Sequence, residues 1–214
     1  MLFPSFVLRR LVRRAAHQIL AGRLVQRDDP RRGRFLRRDV DELLAQAWRN
    51  LDAMLPEAEL ERLPTRGNRQ NVFLAALTLA AYRAFRDAGI QRDYAMELFA
   101  DVGWKLYERS VALPRWMARL ATRDPQRRLE LTLRALLAVP FSRPGRPGYE
   151  ARVWSEPGAF CTHWTHCPPY AFVRRWVDQH GDHGELDAFP PGSCWRPPQS
   201  STPSVALGAH TTGR

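Results

Sequence analysis

From about Asn68 the chain runs through VFLAALTLAAYRAFRDA to Gly89, between a residue that can cap a helix and a glycine that can end one. The apolar residues of this segment fall on most sides of the helix they would form, so other elements must cover it nearly all round. No other feature constrains the fold as much: it predicts a central, buried helix. Its most apolar part, Val72 to Tyr82, falls well short of the roughly 20 residues that cross a bilayer, so it belongs in a protein core. No transmembrane segment is expected.

The rest of the chain reads as cover for that helix. Val40, Leu43, Leu44, Ala47, Leu51 and Met54 recur at helical spacing, which predicts an amphipathic helix over Asp39–Leu55, with Asp39 as N-cap and Pro56 ending it. Asp93 would cap a third helix, YAMELFADVGWKLYER. Asp124 followed by Pro125 opens a fourth, because proline suits the first helical turn. Pro114 and a short piece, RWMARLAT, lie between those two. At Ser142 to Gly148 prolines and glycines forbid a regular element, and the chain changes character. YEARVW and AFCTHWTH, aromatic and β-branched, read as two strands of a hairpin about SEPG. Pro168 and Pro169 open a last helix, PYAFVRRWVDQH, which Gly181 stops.

The expected fold class is therefore α+β: a mostly helical N-terminal layer packed on a small antiparallel sheet. Residues 1–38 read as a basic amphipathic N-terminal segment and a charged linker, Gln26 to Arg38. Residues 39–189 read as the α+β domain, and residues 190–214, rich in proline and serine without an apolar period, as a disordered tail. No internal repeat is evident.

Length and composition agree with one folded unit, since 214 residues at 44% hydrophobic content can bury a proper core. The formal charge of +11 is carried almost wholly by arginine, with Lys105 as the single lysine. Such a balance favours anionic partners without specifying one. The chain has no aromatic RNA-binding signature, no clear recognition helix and no paired-cysteine finger, so nucleic acid is not the expected partner. Three cysteines are too few for the disulfide framework of a small secreted protein, and a reducing, cytoplasmic compartment is expected. The opening MLFPSFVLRRLVRRAAHQIL is not an ordinary export signal, because its apolar run before Arg9 is too short. Its arginines suit weak contact with an anionic membrane surface; the plainer reading is a surface helix that covers the domain.

Chemistry concentrates late in the chain. Cys161, His163, His166, Cys167, His180, Asp182, His183, Glu185 and Asp187 crowd into one stretch, whereas the first 160 residues hold only His17 and no cysteine. If AFCTHWTH is a strand, alternation puts Cys161, His163, Thr165 and Cys167 on one face. Two readings follow. In one, Cys167 is a nucleophile: it precedes a proline-led helix whose dipole lowers a thiol pKa, and a nearby histidine takes and returns a proton. In the other, Cys161, His163, Cys167 and His180 or His183 surround zinc, although C-x-H-x-x-H-C is no standard finger spacing. For any single residue, plain packing or a loop hydrogen bond is as good an account.

At these residues the chain also resembles the family of L-2-amino-thiazoline-4-carboxylic acid hydrolases, over about Asp39 to Phe189. The likeness rests on GNRQNVFLAALTLAAYRAFRDAG, on DVGWKLYER, and on the Cys167–Pro168 step that opens a helix. In that family a further cysteine follows, with an aspartate three residues later; here Cys194 is followed by Pro197 at that place. The resemblance implies hydrolytic opening of a thiazoline ring in a small-molecule substrate, with carbon–sulfur cleavage giving an N-carbamoyl cysteine. On this reading Cys167 is the nucleophile, His163 or His183 the general acid and base, and Asp187 the group that orients a histidine. Arg174 and Arg175 would hold a substrate carboxylate, for which guanidinium forks are suited. No cofactor is specified. The competing expectation is a non-catalytic interaction protein with a structural Cys/His cluster.

Overall fold

The computed structural model describes residues 5–28, 33–138, 146–156 and 159–180. Helix α1 (Ser5–Leu20) leads into a short antiparallel ladder of β1 (Leu24–Val25) and β2 (Gly33–Arg34), then α2 (Arg37–Met54). Two 3-10 turns, Leu55–Ala58 and Leu60–Arg62, connect to α3 (Arg66–Asp87), followed by α4 (Arg92–Ala121) and α5 (Pro125–Ala138). An antiparallel hairpin, β3 (Glu150–Glu156) and β4 (Ala159–His166), precedes α6 (Pro168–His180). The fold is α+β as the sequence predicts, with helices forming the larger layer and the two-stranded hairpin beside them. No described helix is long and apolar enough to cross a membrane.

Helix α3 is central, as its apolar pattern requires, and packs on α2, α4 and α6. Its first half joins a core with Leu51 and Met54 of α2, Leu8 and Val12 of α1, and Phe172, Val173, Trp176 and Val177 of α6. Its last turns enter a second core through Tyr82 and Phe85, with Ala16, Leu20, Val40, Ile90, Ala95 and Leu98. The N-terminal segment is thus part of the folded body, since α1 turns its apolar side into both cores. Salt bridges fasten it as well: Arg13 and His17 meet Asp41 of α2 at 2.9 Å, and Arg23 meets Asp101 of α4 at 2.5 Å. The Gln26–Arg38 stretch, expected as a linker, instead carries β2 and begins α2. The Gln91 amide donates to the Gln26 carbonyl at 3.0 Å, tying it to the α3–α4 junction.

Three caps differ from expectation. The N-cap of α2 is Leu36, and Asp39 lies one turn inside, its carboxylate accepting the Leu36 amide at 2.8 Å. The N-cap of α3 is Thr65, whose hydroxyl accepts the Asn68 amide at 3.1 Å, so that Asn68 is fully buried within the first turn. Helix α4 starts after Gln91, which leaves Asp93 in its first turn. In each case an acidic or amide side chain suits the first turn nearly as well as the cap itself, so sequence alone misplaces the start by two or three residues. Gly89 ends α3 with φ +73°, as its freedom from a Cβ allows.

The largest departure is at Pro114. The expected break there does not occur: α4 continues through the proline to Ala121, with α1 and α3 packed on it and α5 running alongside. Proline removes one helical hydrogen bond and crowds the preceding turn, a cost that the packing of α1, α3 and α5 on this helix can offset. Asp124 caps α5 as predicted, accepting the amides of Gln126 and Arg127 at 3.1 and 3.2 Å. Of the expected boundary at Ser142 to Gly148, residues 142–145 lie outside the described residues, as does the predicted tail from residue 190.

Candidate functional site

Helix α6 begins at two buried prolines, Pro168 and Pro169. The Cys167 carbonyl accepts the Ala171 amide at 2.9 Å, which makes Cys167 the residue that caps the helix. A residue before proline is pushed out of helical geometry, and prolines in the first turn give up no needed hydrogen bond. The sequence CysProProTyr therefore sets a thiol at a helix entrance. Because neither proline has an N–H, the Tyr170 amide is the first that this turn can aim at the capping side chain. The first turn carries no acidic residue to oppose a thiolate. Cys167 is half-buried, and its helix is anchored by Phe172, Val173, Trp176 and Val177 in the core.

The hairpin joins the body at its base. The hydroxyl of Tyr149, a buried residue, accepts a hydrogen bond from the Asn71 side chain of α3 at 3.0 Å. Along β4, Cys161 lies opposite Trp154 and His163 opposite Arg152. His163 and Arg152 are exposed and Cys161 is half-buried, so this face is an open surface. The register then passes from Ala151↔Trp164 to Glu150↔His166, which leaves Thr165 as an inserted residue. The expected row of Cys161, His163, Thr165 and Cys167 is broken there, because an extra residue interrupts the alternation. His163 also stands four residues back on an extended strand, about 13 Å from Cys167 along the chain. The strand does not bring the two together.

The hairpin fixes the imidazole of His166, the residue before Cys167 in sequence. Its Nδ1 lies 2.5 Å from the Gly148 carbonyl oxygen, and a carbonyl only accepts, so Nδ1 is assigned the hydrogen. Nε2 of the neutral ring is then the basic nitrogen. The sequence shows His166 next to Cys167, but the alternation argument puts it on the opposite face and so passes it over.

Elsewhere on α6 the predicted groups serve the helix itself. Arg174 is exposed, 3.8 Å from Asp178. Arg175 donates to the Glu57 carbonyl at 2.7 Å and lies 3.7 Å from the Glu59 carboxylate, which ties α6 to the 3-10 turns. His180 stacks on Trp176 with ring centroids 3.7 Å apart and lies 3.6 Å from Glu57. His183 and Asp187 lie outside the described residues. Among the described residues no three of His, Cys, Asp and Glu converge as metal ligands, so Cys161, His163, Cys167 and His180 do not form the zinc set.

Two further polar features escape the sequence argument. A cleft of about 630 Å³ lies where β1 and β2, α2 and the end of α3 meet, lined by Arg27, Arg34, Asp39, Glu42, Arg49 and Asp87 among others. The run Asp39, Glu42, Gln46, Arg49 at helical spacing is the signal for its polar wall. The second feature is the junction of Arg13, His17 and Asp41. Hydrogen bonds from Arg13 and then His17 hold the Asp41 carboxyl below its ordinary value, and Asp41 raises Arg13 in turn. Both Arg13 and Asp41 are open to solvent, so this junction secures α1 without resembling a catalytic centre. Comparison of the chain with family models, curated proteins and solved structures found no match.

Proposed function

We propose that this protein is a cysteine-dependent hydrolase of a small cyclic amidine, of the 2-amino-thiazoline-4-carboxylate kind. The observation that carries the reading is the placement of Cys167, half-buried at the entrance of a core-anchored helix with no carboxylate in its first turn. A thiolate there is favoured by the positive end of the helix and by the Tyr170 amide. His166 supports the role, since its basic Nε2 belongs to the neighbouring residue. His163 is the second imidazole of the hairpin, and His183 and Asp187, which follow α6 in sequence, are the further acid–base and orienting groups of this reading.

The Cys167 thiolate adds to the amidine carbon, the ring carbon–sulfur bond breaks, and the departing sulfur takes a proton from an imidazolium. Water, deprotonated by the same imidazole, then adds to that carbon and expels the Cys167 thiolate, leaving a ureido group on a free cysteine. Arg174 suits the substrate carboxylate better than Arg175. It lies two helical turns from Cys167 and so on the same side, about 10 Å along the axis, and helical side chains lean toward the N-terminus. Arg175 is engaged by Glu57.

The test uses the fact that the product carries a thiol and the substrate none. The wild-type protein is expected to release titratable thiol from 2-amino-thiazoline-4-carboxylate, and Cys167→Ser to release none. In variants that keep Cys167 alone, alkylation should reach half its maximal rate below the ordinary thiol value of about 8.5. No release by the wild type, or equal release by Cys167→Ser, would overturn the proposal.

A further inference from the structure

The second half of α4 carries an apolar stripe that the described residues leave uncovered. Leu113, Trp116, Met117 and Leu120 are 62%, 58%, 58% and 70% exposed, whereas Ala118 on another side of the same helix is 3% exposed where α5 packs. The spacing of the four is i, i+3, i+4, i+7, so they share an arc of about 100° on the helix surface. Single exposed apolar residues need no explanation, but four large ones in one stripe do. Leu129 of α5, 43% exposed, adds to the apolar surface of the same helical pair.

Charge identifies the occupant. From Arg109 to Arg123 the chain has four arginines and no carboxylate. Exposed Arg119 lies on the flank of the stripe away from Ala118, next to Trp116, and exposed Arg123 follows just beyond the helix end. Arginines beside a stripe of Trp, Leu and Met form the pattern of a helix that lies in a lipid interface: the apolar side chains enter the acyl boundary and the guanidiniums meet phosphates. A second copy of the chain would bring the same guanidiniums face to face, and a like-charged interface is disfavoured. The stripe is also a convex helix surface rather than a groove, which suits a planar bilayer. Helix α1, also basic, turns Leu8, Val12, Ala16 and Leu20 into the cores, so its apolar side is already occupied.

We infer that the α4 stripe Leu113–Leu120 docks the protein peripherally on anionic lipid, with Trp116 as its interfacial anchor. The inference is independent of the hydrolase reading.

Full-length protein is sedimented with vesicles of phosphatidylcholine alone and of phosphatidylcholine mixed with phosphatidylglycerol. Binding is expected to the mixed vesicles only and to weaken with added salt. The triple variant Leu113→Ser, Trp116→Ser, Leu120→Ser should lower partitioning about tenfold or more while melting like the wild type, because the three side chains are exposed. Should the triple variant misfold, Arg119→Glu with Arg123→Glu tests the charged flank alone and must also reduce binding. Equal binding to both vesicle types, or a folded triple variant that binds like the wild type, overturns the inference. So does concentration-dependent self-association without vesicle binding, which would assign the stripe to a second copy; capture by an acidic protein without vesicle binding would assign it to a protein partner.

Discussion

Leu79→Ala measures how far α3 is the centre of this fold. Leu79 is 0% exposed and lies in the core shared by α1, α2, α3 and α6. Truncation removes three buried carbons, worth about 2.4 kcal/mol at about 0.8 kcal/mol each. The cavity left behind adds about 1–2 kcal/mol, at about 24 cal/mol per Å³ of space that does not relax. The helix itself is indifferent, because alanine is at least as good a helix former as leucine. The expected loss is therefore about 3.5–4.5 kcal/mol, a fall in melting temperature of about 7–18 °C for a chain of this size. Chemical and thermal unfolding followed by circular dichroism measure it. Leu120→Ala is the control, being 70% exposed, and should stay within about 0.5 kcal/mol of the wild type. A Leu79→Ala protein within about 1 kcal/mol of the wild type would refute the reading of α3 as the covered centre.

Two smaller perturbations test the joints of the same body. Thr65→Ala removes the hydroxyl that accepts the Asn68 amide and should cost about 1 kcal/mol, with faster hydrogen exchange in the first turn of α3, whereas Thr65→Ser should restore most of it. Asp41 has a folded pKa below its unfolded one, so its interactions stabilise the fold above the unfolded value and are lost as pH falls through the folded value. Asp41→Asn should accordingly flatten the fall in melting temperature below about pH 4. An unchanged acid limb would show that the junction with Arg13 and His17 contributes nothing to stability.

Elements whose signal is local and redundant are legible in the sequence itself. The apolar breadth of α3, the Asp124–Pro125 start of α5, the SEPG hairpin and the paired prolines of α6 each state their conformation within a few residues. Starts of helices are less legible, because Asp39 and Asp93 are as suited to a first turn as to a cap. The continuation of α4 through Pro114 is not legible at all. Proline's local preference there is against the helix, and the packing of α1, α3 and α5 on α4, which opposes that preference, is a tertiary matter. The place of α1 in both cores is hidden for a related reason: a basic amphipathic helix reads alike whether its apolar side meets a membrane or a core.

The candidate site divides along the same line. That Cys167 caps α6 follows from residues adjacent in sequence, Cys167, Pro168 and Pro169, and the Ala171 hydrogen bond agrees with it. The arrangement of the strand before it does not follow so directly. Strict alternation puts Cys167 on one face with His163, but one inserted residue at Thr165 breaks that row, and the Gly148 carbonyl holds the His166 ring. A bulge costs the sequence nothing that a reader can see, since Thr-His-Trp-Thr-His suits a straight strand equally well. It nevertheless decides which side chains of β4 share a face. The helix entrance at Cys167 is therefore a property of local sequence, and the order of the side chains that lead to it a property of strand register.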